Sequence, residues 1–289
     1  MPAPAASRPA IAPAIAPPGH EAPRPFLKWA GGKGQLLTQY QRLFPRKFRR
    51  YFEPFVGGAA LFFHLRPSGA ALSDSNGELI DCYRAVRDEV ERLIEALKQH
   101  RYEEAHYYAT RERDPRELPL HERAARTIFL NRTGFNGLYR VNRAGNFNVP
   151  LGRYTNPLIC DEKNLRACSA VLKDVHIEAR DFAEVQHHAR RGDFVYFDPP
   201  YVPISDTADF TSYVPGGFSW EHQERLAEVF TDLAARGVKV MLSNSDVARL
   251  RELYEGFDIA EVEASRSINS VGARRGTKVR EIVVRSFTE

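Results

Sequence analysis

A short apolar run that stops at two prolines constrains this chain more than any other feature. Phe194-Val195-Tyr196-Phe197 is followed at once by Asp198-Pro199-Pro200-Tyr201. A run of this length and composition predicts a buried strand, and the prolines end it because they lack the N–H that a sheet ladder needs. The strand end therefore presents a carboxylate, fixed carbonyl oxygens and an aromatic face together. This group suits holding the amine of a planar ring while stacking on the ring itself.

Strand-like and helix-like segments alternate on both sides of this run. Apolar runs predict strands at 51–53, 71–73, 175–179, 194–197, 238–242 and 279–287, and apolar spacing predicts helices over 59–65, 79–100 and 221–236. This alternation predicts an α/β fold with a doubly wound, largely parallel, Rossmann-like sheet. Ligands of such sheets bind at the carboxyl ends of the strands.

Residues 101–165 interrupt the alternation and are rich in arginine, asparagine and turns. No Asp or Glu occurs between Arg123 and Cys160, a stretch that holds Arg123, Arg126, Arg132, Arg140, Arg143 and Arg153. Arginine and asparagine mixed with aromatics favour a surface that contacts phosphates and bases, although a solvated basic loop is the ordinary alternative. We expect a mostly helical domain over 101–165, inserted into a core formed by 25–100 and 166–289.

Two glycine pairs and three acids at strand ends predict a ligand pocket. Gly31-Gly32 lies between Lys28 and Lys33, and Gly57-Gly58 follows a predicted strand. Glycine pairs let a backbone approach a ligand closely, but each can also be a simple tight turn. Asp74 or Asp181 alone can be a helix N-cap. With Asp198, however, the acids line one sheet edge, which favours a binding site.

Composition excludes several classes of protein. The three cysteines, Cys82, Cys160 and Cys168, show no metal-ligand spacing, and we expect no metal site. No apolar stretch approaches membrane-spanning length, so we expect a cytoplasmic protein without a membrane anchor. Residues 1–24 are rich in Ala and Pro and predict a disordered tail rather than a signal peptide, because prolines interrupt any apolar core. The net charge of +4 is only mildly basic.

The chain closely resembles Dam-type DNA adenine-N6 methyltransferases of the D12 class, α group. The resemblance covers nearly everything from Pro25 to Phe287. Its segments occur in the order of that family: LKWAGGK at 27–33, EPFVGGAALFF at 53–63, SDSN at 73–76, NRTGFNGLYRVN at 131–142, FNVPLGRY at 147–154, DPPY at 198–201 and RSINSVG at 266–272.

The resemblance implies a site for S-adenosylmethionine (SAM). Trp29, Lys33, Asp74 and Asp198 would contact SAM, with Asp74 on the ribose hydroxyls. Phe52 and Gly57-Gly58 would form the pocket floor, and Asp181 with Phe182 would meet the adenine of SAM. The catalytic tetrapeptide would be Asp198, Pro199, Pro200 and Tyr201.

The resemblance also implies residues that bind duplex DNA. Arg140 would read a guanine, Lys28 would touch the first base of the site, and Phe135 would insert into the base stack. Asn136 would contact the opened base pair, and Leu138 and Pro150 would meet a thymine methyl. Arg132, Asn148 and Arg153 are further DNA-binding candidates in the same segments.

The implied function is methyl transfer from SAM to N6 of adenine in duplex DNA within GATC, after base flipping and without a metal. Other classes remain open. In one alternative the enzyme methylates a longer or different DNA sequence and acts beside a cognate restriction endonuclease, instead of having a role in DNA replication. A SAM-independent DNA-binding regulator is another, which a SAM titration would separate. RNA adenine and protein glutamine methylation use similar tetrapeptides, whereas N4-cytosine enzymes more often carry Ser in place of Asp198. We expect a monomer.

Overall fold

The computed structural model describes residues 22–203, 217–265 and 278–288. Most of the Ala/Pro-rich tail and the segment RSINSVG at 266–272 lie outside these described residues.

One mixed sheet organises the described residues. Its seven strands are β1 (Tyr51–Glu53), β2 (Ala70–Asp74), β3 (His176–Ala179), β4 (Phe194–Phe197), β5 (Lys239–Ser245), β6 (Asp258–Ser265) and β7 (Lys278–Arg285). Their order is β3-β2-β1-β4-β5-β7-β6. The first five strands are parallel, whereas β7 runs antiparallel to both β5 and β6. The predicted α/β class with a largely parallel sheet is confirmed.

Helices cover both faces of the sheet. In chain order they are α1 (Leu37–Tyr40), α2 (Ala60–Leu65), α3 (Gly77–Asp88), α4 (Val90–Lys98), α5 (Glu104–Glu112), α6 (Leu120–Thr133), α7 (Glu162–Leu172), α8 (Val185–His188), α9 (Trp220–Ala235) and α10 (Ala248–Leu253). The alternation of side chains along β4 explains the two cores. Phe194 and Tyr196 lie in a core with α2, α3, α4 and α7, while Val195 and Phe197 lie in a core with α9 and α10.

The predicted single helix over 79–100 is wrong, because the structure has two helices there. Glu89 separates α3 from α4 with a φ of −134°, outside the helical range. Its carboxylate lies 2.9 Å from Nδ1 of His121 on α6. Apolar spacing continues through the break, since both helices pack against α6. Periodicity alone therefore did not reveal the change of direction. The sequence patterns also missed α7, α10 and β6.

The region after α4 shares its packing with the core. Helix α6 packs on α3 and α4, and its Ala124, Ala125 and Ile128 belong to the larger core. Farther along, antiparallel bridges join Gly134 to Leu151 and Val141 to Phe147. A small third core supports this hairpin, formed by Tyr107, Phe129, Leu130, Tyr139, Phe147 and Val149. The domain limits of 101–165 stay a prediction.

Candidate active site

The order of the strands reverses between β1 and β4, which places a crevice at their carboxyl ends. The segments that end at this edge are β1 at Glu53, β2 at Asp74, β4 just before Asp198 and β5 at Ser245. The chain that follows β3 brings Asp181 to the same edge. The sequence-predicted acids therefore share one sheet edge.

Asp198 is held through one of its two carboxylate oxygens. Lys33 Nζ lies 2.8 Å from Oδ1, and the Ser243 hydroxyl donates a hydrogen bond of 2.9 Å to the same atom. Behind Ser243, the Tyr196 hydroxyl lies 2.9 Å from Oγ in the buried core. Within the described part of the chain, Oδ2 has no hydrogen-bond partner. The carboxylate is thus oriented with one acceptor atom still available.

Lys33 brings the N-terminal glycine turn to the tetrapeptide. Its ammonium group donates a hydrogen bond of 2.6 Å to the Gly31 carbonyl and lies 4.6 Å from the centre of the Tyr201 ring. The Lys33 side chain is only 4% exposed, and the Asp198 side chain is 20% exposed. A nearly buried ammonium needs such a partner, since burying an unpaired charge is costly. Tyr201 is fixed at its other end by a hydrogen bond of 2.8 Å to Glu281 Oε2.

A buried polar network holds the loop that follows Asp198. Gln223 of α9 donates to the Pro200 carbonyl at 3.0 Å, and Asn244 donates to Gln223 Oε1 at 3.1 Å. Asn244 also accepts from Val202 N at 3.2 Å, and Ser245 donates to the Val202 carbonyl at 2.7 Å. The sequence analysis did not single out these residues. The sequence feature that could have revealed them is the polar run Ser243-Asn244-Ser245 at the end of a buried strand.

Glu53 is a second functional candidate that the sequence analysis did not select. It is buried beside Lys33 and Asp198, and the Tyr51 hydroxyl donates to its Oε2 at 2.8 Å. Burial raises the pKa of Glu53 to about 8, with a further contribution from the Asp198 charge. A neutral Glu53 leaves Lys33 to pair with Asp198 alone.

Asp74, Gly57 and Trp29 form the neighbouring pocket wall. The Asp74 carboxylate accepts hydrogen bonds from Asn76 N at 3.0 Å and from Gly57 N at 3.3 Å. Burial raises the pKa of Asp74 to about 6. A Cβ atom on Gly57, whose φ is +44°, would lie 2.8 Å from Trp29 Cδ1. Glycine is therefore needed here both for conformation and for space. Gly58 packs next to Trp29 in the same way, with ordinary contact distances.

Asp181 and Phe182 lie farther along the edge, whereas Phe52 does not. Asp181 accepts from Ala183 N and receives both ends of the Arg225 guanidinium, at 2.7 and 3.1 Å. Phe182 stacks on Phe55 with ring centres 5.3 Å apart. Phe52 packs in the α9 core on the face of β1 opposite to Glu53. The structure thus does not bring Phe52 together with Lys33 and Asp198.

Phe135 and Asn136 form the tip of the predicted recognition surface. Phe135 is 50% exposed, which is unusual for a large apolar side chain in this structure. Asn136 and Gly137 both have positive φ, 55° and 64°, and this turn projects Phe135 from the end of α6. Leu138 is half-buried and Pro150 is exposed.

The predicted polar DNA contacts fall into exposed and buried groups. Arg140 is exposed, with Nε donating at 2.7 Å to Asn148 Oδ1 and Nη2 donating at 3.1 Å to the Asn148 carbonyl. Arg153 is also exposed. Arg132 instead points inward and donates to the Phe26 carbonyl at 2.8 Å, and burial lowers its pKa.

A buried amide joins Lys28 to the predicted recognition turn, which is formed by Phe135–Gly137. Asn131 accepts from Lys28 N at 2.8 Å and donates to the carbonyls of Lys28 and Gly137 at 2.8 and 2.9 Å. The Lys28 ammonium lies 4.4 Å from the centre of the Tyr154 ring. Burial, followed by the charge of Arg132, lowers the pKa of Lys28.

In residues 22–203, 217–265 and 278–288, no group of three or more His, Cys, Asp or Glu side chains is arranged to hold a metal ion. Over the same residues, no helix is both long and apolar enough to cross a membrane.

The chain is similar in sequence to several known DNA methyltransferases. The Type II methyltransferase M1.LlaDCHI of Lactococcus lactis subsp. cremoris is 47% identical over 272 residues, covering 91% of this chain and 95% of the relative. The Type II methyltransferase M.MjaIII of Methanocaldococcus jannaschii is 42% identical over 286 residues, covering 91% and 99%. The DNA adenine methylase of Escherichia coli strain K12 is 36% identical over 264 residues, covering 90% and 94%.

The family model for D12 class N6 adenine-specific DNA methyltransferases matches residues 29–268, a range that contains the strand-end acids, the glycine turns and the recognition turn. This chain therefore belongs to the D12 class of N6 adenine-specific DNA methyltransferases and is an adenine-specific DNA methyltransferase.

Proposed function

We propose that this enzyme transfers the methyl group of SAM to N6 of an adenine in duplex GATC, after flipping that adenine into the crevice at the carboxyl ends of β1 and β4. The observation that carries the proposal is the orientation of Asp198. Lys33 and Ser243 occupy Oδ1 and leave Oδ2 as an acceptor, and the Lys33 ammonium also lies 4.6 Å from the centre of the Tyr201 ring.

The residues present fit a SAM-type methyl donor. Asp74 supplies a carboxylate at the end of β2, where nucleotide-binding sheets hold ribose hydroxyls. Gly57 keeps the wall beside Trp29 open, because a side chain there would collide with the indole. The stacked pair Phe55 and Phe182 gives the site an apolar wall beside Asp181, against which an adenine ring can pack. When bound, SAM supplies an electrophilic methyl group on a sulfonium.

The chain's own residues activate the amine by position. The N6 lone pair of adenine is delocalised into the ring, so the amine is a weak nucleophile. Asp198 Oδ2 and the Pro199 carbonyl would accept its two N–H hydrogens and turn the lone pair toward the methyl group, while Tyr201 contacts the face of the ring. As the bond from N6 to the methyl carbon forms, the bond from that carbon to the sulfonium sulfur would break with its electron pair on sulfur. N6 then loses one proton to the Asp198 carboxylate. This is catalysis by orientation and preorganised charge.

The target adenine is buried in a duplex, so it must leave the base stack, at a cost of a few kcal/mol. Phe135 is suited to fill the space that the base leaves, since it is a large exposed ring on a turn with fixed backbone. Arg140 is suited to a guanine because its guanidinium is exposed and already oriented by Asn148. These features support duplex DNA as the substrate form. The resemblance to Dam-type enzymes supports GATC.

A titration separates the use of SAM from DNA binding. Calorimetry of the purified protein should give saturable SAM binding, and Asp74→Asn should weaken it. Asp198→Ala should abolish methylation of a duplex while leaving duplex affinity within about twofold. Methylation retained by Asp198→Ala, or the absence of SAM binding by a folded protein, would overturn the proposal.

The target sequence needs a separate experiment. The enzyme is expressed in cells that lack adenine methylation, and their DNA is read by single-molecule sequencing. We expect N6-methyladenine at GATC and none in cells that express Asp198→Ala. Methylation confined to another sequence would reject GATC but retain the reaction.

A role beside a restriction endonuclease is the second candidate. The two relatives with 47% and 42% identity are named Type II methyltransferases. Disruption of the enzyme should then kill its host only when a neighbouring endonuclease is intact. Survival with that endonuclease active would favour a role in DNA replication or maintenance.

A further inference from the structure

A dense group of cations lies at the amino ends of β1 and β4, on the edge of the sheet opposite to Asp198. No acidic residue occurs from 22 to 52, and the loop before β1 carries four cations in five positions. The loop before β4 adds two more. All six side chains belong to exposed residues. We call this surface the amino-edge patch: Arg46, Lys47, Arg49, Arg50, Arg190 and Arg191.

Backbone hydrogen bonds fix the two loops against each other. Arg49 N donates to the Gly192 carbonyl at 2.9 Å, and Phe194 N donates to the Arg50 carbonyl at 2.8 Å. Gly192 N in turn donates to the Gly237 carbonyl at 2.9 Å. The Lys239 ammonium donates to the Lys47 carbonyl at 2.8 Å. The backbones of the two loops that carry the cations are therefore joined on one side of the sheet.

Carboxylates neutralise little of the amino-edge patch. The buried Asp193 pairs with Arg50 at 2.9 Å. Among the described residues, Lys47, Arg49 and Arg191 have no carboxylate partner. Asp232 pairs instead with Arg236 at 2.8 Å, and Arg236 donates to the Ala189 carbonyl beside Arg190. Clustered charge of one sign opposes folding by self-repulsion and creates a local field that attracts anions.

The amino-edge patch faces away from the methylation site. Asp198 follows β4 and the patch precedes it, so the strand alone separates the two by about 13 Å, at about 3.3 Å per residue. The sheet and its helices lie between them. A straight duplex seated against Phe135 and Asp198 therefore does not contact the amino-edge patch.

We propose that the amino-edge patch binds the phosphate backbone of a second duplex segment, so that one enzyme molecule bridges two segments of DNA. Five of its six cations are arginines, whose planar forks match phosphate oxygens. Repeated phosphates suit a row of cations, three of which, Lys47, Arg49 and Arg191, have no carboxylate partner among the described residues. The enzyme's DNA substrate already surrounds it with such phosphates. Bridging would let the enzyme transfer from one DNA segment to another without first dissociating into solution.

The test is a sandwich assay with two duplexes. The first, a short immobilised duplex containing one target site, is saturated with enzyme, and a fluorescent duplex without a target site is then added. The variant Lys47→Gln, Arg49→Gln, Arg191→Gln removes three cations from the patch. A matched control removes three exposed cations elsewhere, Arg92→Gln, Lys163→Gln and Lys173→Gln. Sedimentation checks that the captured complex holds one protein and two duplexes.

We expect wild type and the control to capture the second duplex, and the patch variant to lose most of this capture. The slope of log affinity for the second duplex against log salt should fall by about 3, because three phosphate contacts are lost. Methylation of the short duplex should be unchanged in every variant, so failure of the patch is distinguishable from failure of the site. Equal capture by the patch variant would overturn the proposal. Stronger competition by polyglutamate than by duplex would do so too, by indicating an acidic protein partner.

Discussion

The hydroxyl of Ser243 donates a hydrogen bond of 2.9 Å to Oδ1 of Asp198, the same oxygen that pairs with Lys33. Ser243 thereby acts as a positioning residue on the next strand. Ser243→Ala should lower kcat about 5- to 30-fold, which corresponds to the about 1–2 kcal/mol of one such hydrogen bond. SAM affinity should change little.

Steady-state kinetics with a short duplex, together with SAM calorimetry, would check this. Ser286→Ala is the matched control, since it removes a hydroxyl that bonds to Val238 and Val240 at the opposite edge. An equal fall in kcat for both variants would indicate a general loss of stability rather than positioning.

The affinity for SAM should depend on pH through Asp74. Its pKa is raised to about 6 by burial, so the carboxylate takes up a proton as the pH falls through 6. Because the ionised form is the better acceptor for ribose hydroxyls, the Kd for SAM should rise up to about tenfold for each pH unit below 6. Calorimetry between pH 5 and pH 8 measures this. Asp74→Asn should bind more weakly at pH 8 and show a flatter profile, whereas a flat wild-type profile contradicts the assignment.

Glu53 should make the protein less stable as the pH rises. Its folded-state pKa is about 8, against an ordinary value of 4.5, so between these values the folded state keeps a proton that the unfolded state has released. The free energy of unfolding should therefore fall with rising pH in this window, by at most about 1.4 kcal/mol per unit. Urea unfolding of Glu53→Gln, which mimics the protonated form, should lack this contribution. Parallel pH profiles for wild type and variant would refute the raised pKa.

Asn131 should matter for stability rather than for base contacts. Its buried amide makes three hydrogen bonds to the backbone of Lys28 and Gly137. Asn131→Ala leaves those groups unpaired and should lower the free energy of unfolding by about 2–4 kcal/mol. The exposed Asn146→Ala is the control and should change it by less than about 0.5 kcal/mol. Thermal or urea unfolding is sufficient, and equal stability of the two variants would contradict this role.

Phe135, in contrast to Asn131, should matter for methylation of duplex DNA and not for stability. Because the ring is half exposed, Phe135→Ala should change the free energy of unfolding by less than about 0.5 kcal/mol. Methylation of duplex DNA should nevertheless fall at least tenfold, since the ring no longer supports the flipped state. A duplex with an abasic site opposite the target adenine should restore much of the activity, because that base pair is already open. A normal rate on intact duplex would reject the inserted ring.

The sequence predicted those parts of the fold that local pattern determines. The run before Asp198 gave the buried β4 because four apolar residues end at prolines, and strand–helix alternation gave the class of sheet. Alternation could not reveal the break at Glu89, because apolar spacing is preserved across it. It also could not place Glu53 near Asp198, because that nearness depends on the pairing of β1 with β4.

The candidate site was predictable to a similar extent. Lys33 and Asp198 were both expected at one pocket, and the structure places their charged atoms 2.8 Å apart. Arg132 was expected on DNA, yet its guanidinium bonds to Phe26 inside the protein. The contacts of Lys33 and of Arg132 both depend on the direction in which a long side chain points. The presence of that residue type in a motif does not determine this direction. The specific role of each predicted residue stays a prediction.

Helix α6 has a consequence for how this enzyme's specificity can be altered. Its Ala124, Ala125 and Ile128 are part of the same core as the sheet, while its last turn leads directly into Phe135. Replacing residues 101–165 with the equivalent stretch of another enzyme would therefore also replace side chains of the hydrophobic core that packs against the sheet. Chimeras are better built by changing the exposed residues between 134 and 153 while leaving the helix and the buried Tyr139, Phe147 and Val149 in place, since that exchange preserves the packing of both cores.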